Sequence, residues 1–229
     1  MLEVSEVFES IQGEGPLLGI PALFIRLQQC NLFTLSCGSC KFCDTKYAIR
    51  SGGGDEFTAD AIGDLILVSG RELLVITGGE PLLQQNELLK TLNNVPEKLL
   101  RFINVETNGT LAPDMSWEGI EPSVLFSVSP KIHARDFLVL PKFKNFNCIL
   151  KVVYNCTPSF DEGELRRFIF NCAKELKLSS LDQIFVMPQS QSRKEYLQRS
   201  VDCFDFCMKN GFRFGAREHV VIFDKLKGI

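Results

Sequence analysis

The chain has 229 residues, 45% of them hydrophobic and 23% charged, enough for one sizeable domain with its own core. Its 25 basic and 28 acidic residues are interspersed to a net charge of -3, without the basic run that a nucleic-acid or anionic-membrane surface requires. The opening MLEVSEVFES is acidic and lacks an apolar signal core, and no apolar run is long enough to cross a bilayer, so the expectation is a cytoplasmic protein without nucleic-acid or membrane partners.

In chain order, short β-branched or aromatic runs lie at 23–27, 73–77, 102–106, 125–128, 148–153 and 184–187. Being apolar almost throughout, they predict six strands of a parallel sheet covered on both faces. Helical patterns fall between some of them. The first, 58–68, has Thr58 as its N-cap and Ala59, Ile62, Leu65 and Ile66 on one stripe. A second covers 86–92. A third, 161–178, places Leu165, Phe168, Ile169, Cys172 and Leu176 on an apolar face, and a fourth, 193–210, is stopped by Gly211. The connections after 106 and 128 are broken by Pro113, Pro122, Pro130 and Pro141, which predicts a barrel, open or closed, with helices missing from one side. The SGGG stretch at 51–54 reads as a flexible surface connector. There is no internal repeat and no interdomain linker, so 1–229 reads as one domain.

Nine cysteines in a reducing compartment argue against a disulfide framework. Five of them, Cys148, Cys156, Cys172, Cys203 and Cys207, sit in apolar surroundings and read as core thiols. The other four, Cys30, Cys37, Cys40 and Cys43, crowd into fourteen residues. Four thiolates could complete a structural zinc tetrahedron. Two CxxC pairs sharing Cys40 suit that poorly, and three thiolates on an iron–sulfur cluster, with one iron open, is the sharper reading. Downstream, Thr77-Gly78-Gly79-Glu80-Pro81 leaves a buried strand through a Gly-Gly turn, where backbone can approach a ligand and Glu80 can offer a carboxylate to an ammonium group. His133 and His219, the two histidines, have no partner at ligand spacing and read as ordinary.

A cysteine triplet followed by GGEP resembles the radical S-adenosylmethionine (SAM) superfamily. The segments Ser10-Ile11-Gln12-Gly13-Glu14-Gly15, Cys43-Asp44-Thr45, Glu106-Thr107-Asn108-Gly109 and Ser129-Pro130-Lys131, with an ending in Lys227-Gly228-Ile229, resemble the 7-carboxy-7-deazaguanine synthase family across nearly the whole chain. The resemblance implies an α/β fold, a partial TIM-type barrel of six parallel strands with a reduced set of helices and a short C-terminal extension closing the substrate site. It implies rearrangement of 6-carboxy-5,6,7,8-tetrahydropterin to 7-carboxy-7-deazaguanine with loss of ammonia, in queuosine and 7-deazapurine biosynthesis. SAM would yield a 5′-deoxyadenosyl radical and be regenerated, with magnesium assisting. It also implies a homodimer and an electron donor such as flavodoxin or ferredoxin.

Carried over by motif, Cys30, Cys40 and Cys43 would ligate a 4Fe–4S cluster and Thr45 would ligate magnesium. Ile11, Gln12, Gly13, Arg26, Thr77 and the Ile229 carboxylate would meet the pterin, with Arg26 gripping its carboxylate. Phe42, Cys43, Asp44, Gly79, Glu80, Ser129, Pro130 and Lys131 would line the SAM site. Met187-Pro188-Gln189-Ser190 stands where the family has a QPM-type SAM contact with different letters. The spacing departs from the usual Cys-x3-Cys-x2-Cys: nine residues separate Cys30 from Cys40, and Cys37 is extra, so Cys30 or Cys37 opens the triplet. Two other readings stand beside this one. A glycyl-radical-enzyme activase leaves SIQGEG unexplained, and a zinc-binding structural module leaves GGEP and ETNG unexplained.

Overall fold

The computed structural model describes residues 1–35, 40, 43–96, 98–155 and 161–226. Among these residues nine strands, β1 Leu2–Ile11, β2 Pro21–Leu27, β3 Asp55–Phe57, β4 Leu73–Gly78, β5 Phe102–Thr107, β6 Val124–Val128, β7 Asn147–Tyr154, β8 Ile184–Pro188 and β9 Arg213–Phe214, form one sheet in the order β3-β1-β2-β4-β5-β6-β7-β8-β9. From β2 to β9 every neighbouring pair is parallel, whereas β1 runs antiparallel to both β2 and β3. The sheet is an unclosed α/β barrel. The six expected strands are all present as its parallel centre. Short β9 adds a seventh parallel strand, and β1 and β3 add an antiparallel margin that the apolar-run criterion passes over. In β1, Glu3, Ser5, Glu6 and Glu9 interrupt the apolar residues, and a register shift between Val4 and Glu6 breaks the alternation.

Among the described residues five helices accompany the sheet: α1 Ala59–Ser69, α2 Gln85–Asn93, α3 Glu162–Glu175, α4 Arg193–Asn210 and α5 Glu218–Phe223. Thr58 caps α1, its hydroxyl accepting from the Ala61 N–H at 3.1 Å, and Gly211 ends α4 in the left-handed region at φ 71°. Thr58→Ala is therefore expected to cost about 1 kcal/mol of stability, read as a lower urea midpoint at unchanged slope. The connections β5–β6 and β6–β7 hold only short 3-10 turns, as their prolines predict. On this helix-poor side aromatic rings fill the layer. Trp117, Phe143 and Phe146 stand edge-on around Phe126 of β6, with centroids 5.6, 5.7 and 5.3 Å away. Cys148, Cys172, Cys203 and Cys207 are buried, as expected of core thiols, and Cys156 lies outside the described residues.

Two glycine stretches have a packing role beside the expected one. A Cβ on Gly78, at φ +121°, would stand 2.1 Å from the Leu27 carbonyl oxygen, and one on Gly79 would stand 1.9 Å from that of Gln29. The GGE turn is tied to the segment after β2 by Gly79 N–H to Leu27 O (3.0 Å) and Glu80 N–H to Gln29 O (2.7 Å). The glycines thus let two loops pass backbone to backbone. Likewise the SGGG connector closes on Glu3, whose carboxylate accepts from the N–H groups of Gly52 and Gly53. Among the described residues no helix is long and apolar enough to cross a membrane.

Candidate active site

At the C-terminal ends of the parallel strands lies a cavity of about 920 Å³. Strand register builds its polar wall. Arg26 on β2 sits opposite Glu6 on β1 and Thr77 on β4, and Thr77 Oγ1 donates to Glu106 of β5 at 2.9 Å. On β7, Leu150 and Val152 pack into the core while Lys151 and Val153, alternating with them, line the cavity. Lys151 Nζ donates to Glu106 Oε1 at 2.7 Å and to Glu14 Oε2 at 2.8 Å. Burial alone would raise the Glu14 pKa and lower that of Lys151. Their mutual attraction, joined by Arg217 and His219 at Glu14 and by Glu106 at Lys151, reverses both. The Glu14 carboxyl is held well below its ordinary range and the Lys151 ammonium above its own.

Arg26 is held by Nε donating to Glu6 Oε1 at 2.5 Å, and its guanidinium lies 5.6 Å from the Phe8 ring centroid. Tyr47 donates to the same Glu6 oxygen at 2.6 Å. This leaves the two terminal amino groups of Arg26 for an incoming carboxylate. Gln12 is buried, its Oε1 accepts from the Glu14 N–H at 3.1 Å, and its Nε2 is a buried donor with no partner among the described residues. A donor left in that condition at a cavity wall calls for a ligand acceptor or water.

Cys30, Cys40 and Cys43 line the same cavity from two sides. The Cys43 N–H donates to Cys40 O at 3.1 Å, while Cys30 follows β2 and is anchored by its N–H to Ile49 O at 3.1 Å. The Cys30 thiol is pushed up to about 11, first by burial and then by the negative charge of Glu80, Cys40 and Cys43, so the three thiols are electrostatic neighbours. Among the described residues no three His, Cys, Asp or Glu side chains meet closely enough to hold a single metal ion. A multi-iron cluster is gripped at separate corners, and three thiols around one cavity suit it. Thr45 precedes a 3-10 turn without capping it, and its hydroxyl, 3.6 Å from Cys43 Sγ, is an oxygen that a hard cation could take.

The expected residues Ile11, Gln12, Gly13, Arg26, Thr77, Asp44, Gly79, Ser129, Lys131, Met187, Pro188, Gln189 and Ser190 all line this cavity. Pro130 is buried between its lining neighbours. Glu80 departs from the expectation. It is fully buried and accepts from Leu82 N–H (3.1 Å), Thr107 Oγ1 (2.8 Å) and Asn108 N–H (2.7 Å), which makes it a tie between the β4 and β5 ends rather than a free carboxylate. Burial raises its pKa to about 6 against those bonds. Phe42, Cys37 and Ile229 lie outside the described residues. Both histidines, read as ordinary, stand at the site. His133 Nε2 is 3.8 Å from Cys40 Sγ, and His219 lines the cavity 3.8 Å from Glu14. Glu14, Glu106, Lys151 and Arg217 were also missed as a set. The one signal available was a lysine inside an otherwise apolar strand.

No family model matches the chain. It is 31% identical over 204 residues to the 7-carboxy-7-deazaguanine synthase of Aquifex aeolicus, covering 88% of this chain and 83% of that protein. Against the protein of the same name from Pyrobaculum aerophilum it is 29% identical over 234 residues, covering 99% and 97%. A stretch of 111 residues is 42% identical to that of Hyperthermus butylicus, where the match spans 44% of the relative's length. Among solved structures, QueE from Escherichia coli superposes with a TM-score of 0.64 at 22% identity, over 93% of this chain and 92% of that one. Native anSMEcpe with bound AdoMet and Kp18Cys peptide gives 0.50 at 18% identity, over 84% and 62%; both are likenesses of fold.

Proposed function

The chain belongs to the 7-carboxy-7-deazaguanine synthase family, and on that premise we propose that its cavity rearranges 6-carboxy-5,6,7,8-tetrahydropterin to 7-carboxy-7-deazaguanine with loss of ammonia. One observation carries the reading: residues of SIQGEG, CDT, GGEP, ETNG and SPK, distant in sequence, line a single cavity. The activase and zinc-module readings have no comparable support.

Cys30, Cys40 and Cys43 would hold a 4Fe–4S cluster, with Phe42, Asp44, Gly79, Ser129, Lys131 and 187–190 around SAM and Thr45 on magnesium. When bound, cluster and SAM supply the hydrogen-abstracting radical. Arg26 receives the pterin carboxylate on its two terminal amino groups while Glu6 and Phe8 keep its plane fixed. Gln12 Nε2 donates to an acceptor on the pterin, and Thr77 and the Ile229 carboxylate complete that side. The ion pairs of Lys151 fix the polar wall before substrate arrives, so no reorganisation is needed during reaction. We read 1–229 as one domain whose C-terminal extension closes the site, working as a cytoplasmic homodimer fed by a flavodoxin- or ferredoxin-type donor.

The test is anaerobic incubation of reconstituted protein with SAM, magnesium, reductant and 6-carboxytetrahydropterin. Formation of the deazapurine, followed by chromatography and mass, with SAM not consumed, is the expected result. Cleavage of SAM without deazapurine overturns the reading.

A further inference from the structure

Beyond β9 the chain leaves the sheet edge and crosses the barrel opening to the loop after β1. Gly215 N–H donates to Val186 O at 2.8 Å at one end of this crossing, and Glu218 N–H donates to Gly13 O at 3.1 Å at the other. His219 packs directly on Gly13, where a Cβ would stand 2.5 Å from His219 Nδ1 and 3.1 Å from its backbone nitrogen. Arg217 sits mid-crossing and is buried. Its Nε donates to Glu14 Oε1 at 2.9 Å, Nη1 to Ser190 O at 2.6 Å and Ser190 Oγ at 3.3 Å, and Nη2 to Asp44 Oδ2 at 2.7 Å. One rigid fork thus joins the Gln12–Glu14 loop, the loop carrying Cys43, and the end of β8.

We propose that Arg217 is a positioning residue that couples the SAM half of the cavity to the pterin half, an inference that rests on the function proposed above. Asp44 and Ser190 belong to the SAM side, and Glu14 follows Gln12 and Gly13 on the pterin side. A ligand that orders Asp44 and Ser190 fixes the guanidinium plane, and with it Glu14, which Lys151 already ties to Glu106 and Thr77. Binding on one side then lowers the ordering cost on the other, and the effect is reciprocal. A lysine could keep the charge but could not span acceptors on three separate residues in fixed directions.

The experiment measures pterin affinity by calorimetry on reconstituted, unreduced protein, with and without saturating SAM, so that no turnover occurs. In wild type SAM is expected to tighten 6-carboxytetrahydropterin binding at least about five-fold. In Arg217→Lys the ratio should fall to near one with iron content retained. Asp44→Ala removes the same link at a half-exposed carboxylate while leaving the buried arginine in place, and should also reduce the ratio. Direct contact between the two ligands would survive both substitutions. A wild-type ratio retained in both variants therefore overturns the proposal, as does an active wild type whose pterin affinity ignores SAM. A protein that binds no pterin overturns the proposed function as well.

Discussion

Lys151→Met is expected to lose about 3–5 kcal/mol of stability at neutral pH, because it leaves Glu14 and Glu106 at a buried site without the cation between them. Methionine keeps the volume, so a cavity is not the cause. The pH dependence separates this mechanism from general misfolding. In wild type the Glu14 pKa is depressed in the folded state, so its contribution is present above the ordinary carboxylate pKa and is lost only as pH falls through the depressed value. The Lys151 pKa is raised, so its contribution is complete below about pH 10 and lost as pH rises beyond. Neither Glu14 nor Lys151 should therefore make wild-type stability depend on pH between 5 and 8, and His219, whose pKa burial lowers, adds a modest fall in stability as pH drops below its ordinary value in wild type and variant alike. In the variant the largest opposing charge on Glu14 is gone, and burial pushes its pKa up. Protonation then relieves the uncompensated charge, so the gap between variant and wild type should narrow as pH falls from 7 towards 4. Urea unfolding at several pH values reads this directly. A loss under about 1 kcal/mol, unchanged with pH, would mean that the pairs behave like surface bridges.

That network also marks where sequence reading stops. The six parallel strands, α1 with its Thr58 cap and α4 with its Gly211 stop were legible because apolar runs and capping residues are local signals. β1 was not: its five polar residues serve a strand at the antiparallel margin, where Ser10 lines the cavity, Glu6 holds Arg26 of the cavity wall and Glu3 binds the surface loop. α5 was missed because EHVVIF is six residues long and β-branched, and its placement depends on Gly13 and Arg217 rather than on its own propensity. At the site, the motif residues could be listed but their geometry could not. Nothing local says that Glu80 turns inward to Thr107 and Asn108. Nor does any local signal bring Glu14 and Lys151, 137 positions apart, to 2.8 Å. Such pairs are products of topology, and charge in a buried strand is the trace they leave in the sequence.

Cys43→Ala and Cys30→Ala are each expected to abolish cluster loading and all turnover, whereas Cys37→Ala should load about four irons per chain like wild type. The argument begins with anchoring. Cys43 lines the cavity with its backbone held on both sides, its N–H donating to Cys40 O and its carbonyl accepting from Gln191 Nε2 at 3.3 Å. Cys30 is set by its bond to Ile49 at the end of β2, one of the central strands, and its thiol feels both Cys40 and Cys43. Three sulfurs held on two separately anchored segments give a cluster a fixed seat. Cys30 and Cys37 compete for the first place in the triplet, and only Cys30 directly follows the strand that also carries Arg26. Iron content and the electron paramagnetic resonance spectrum of the reduced proteins decide the matter. Loss of iron in Cys37→Ala, with retention in Cys30→Ala, would move the first ligand to Cys37 and detach the seat from β2. Retention in Cys43→Ala would remove the cluster from this cavity altogether, and with it the reason for Thr45, Asp44 and Gly79 to share its wall.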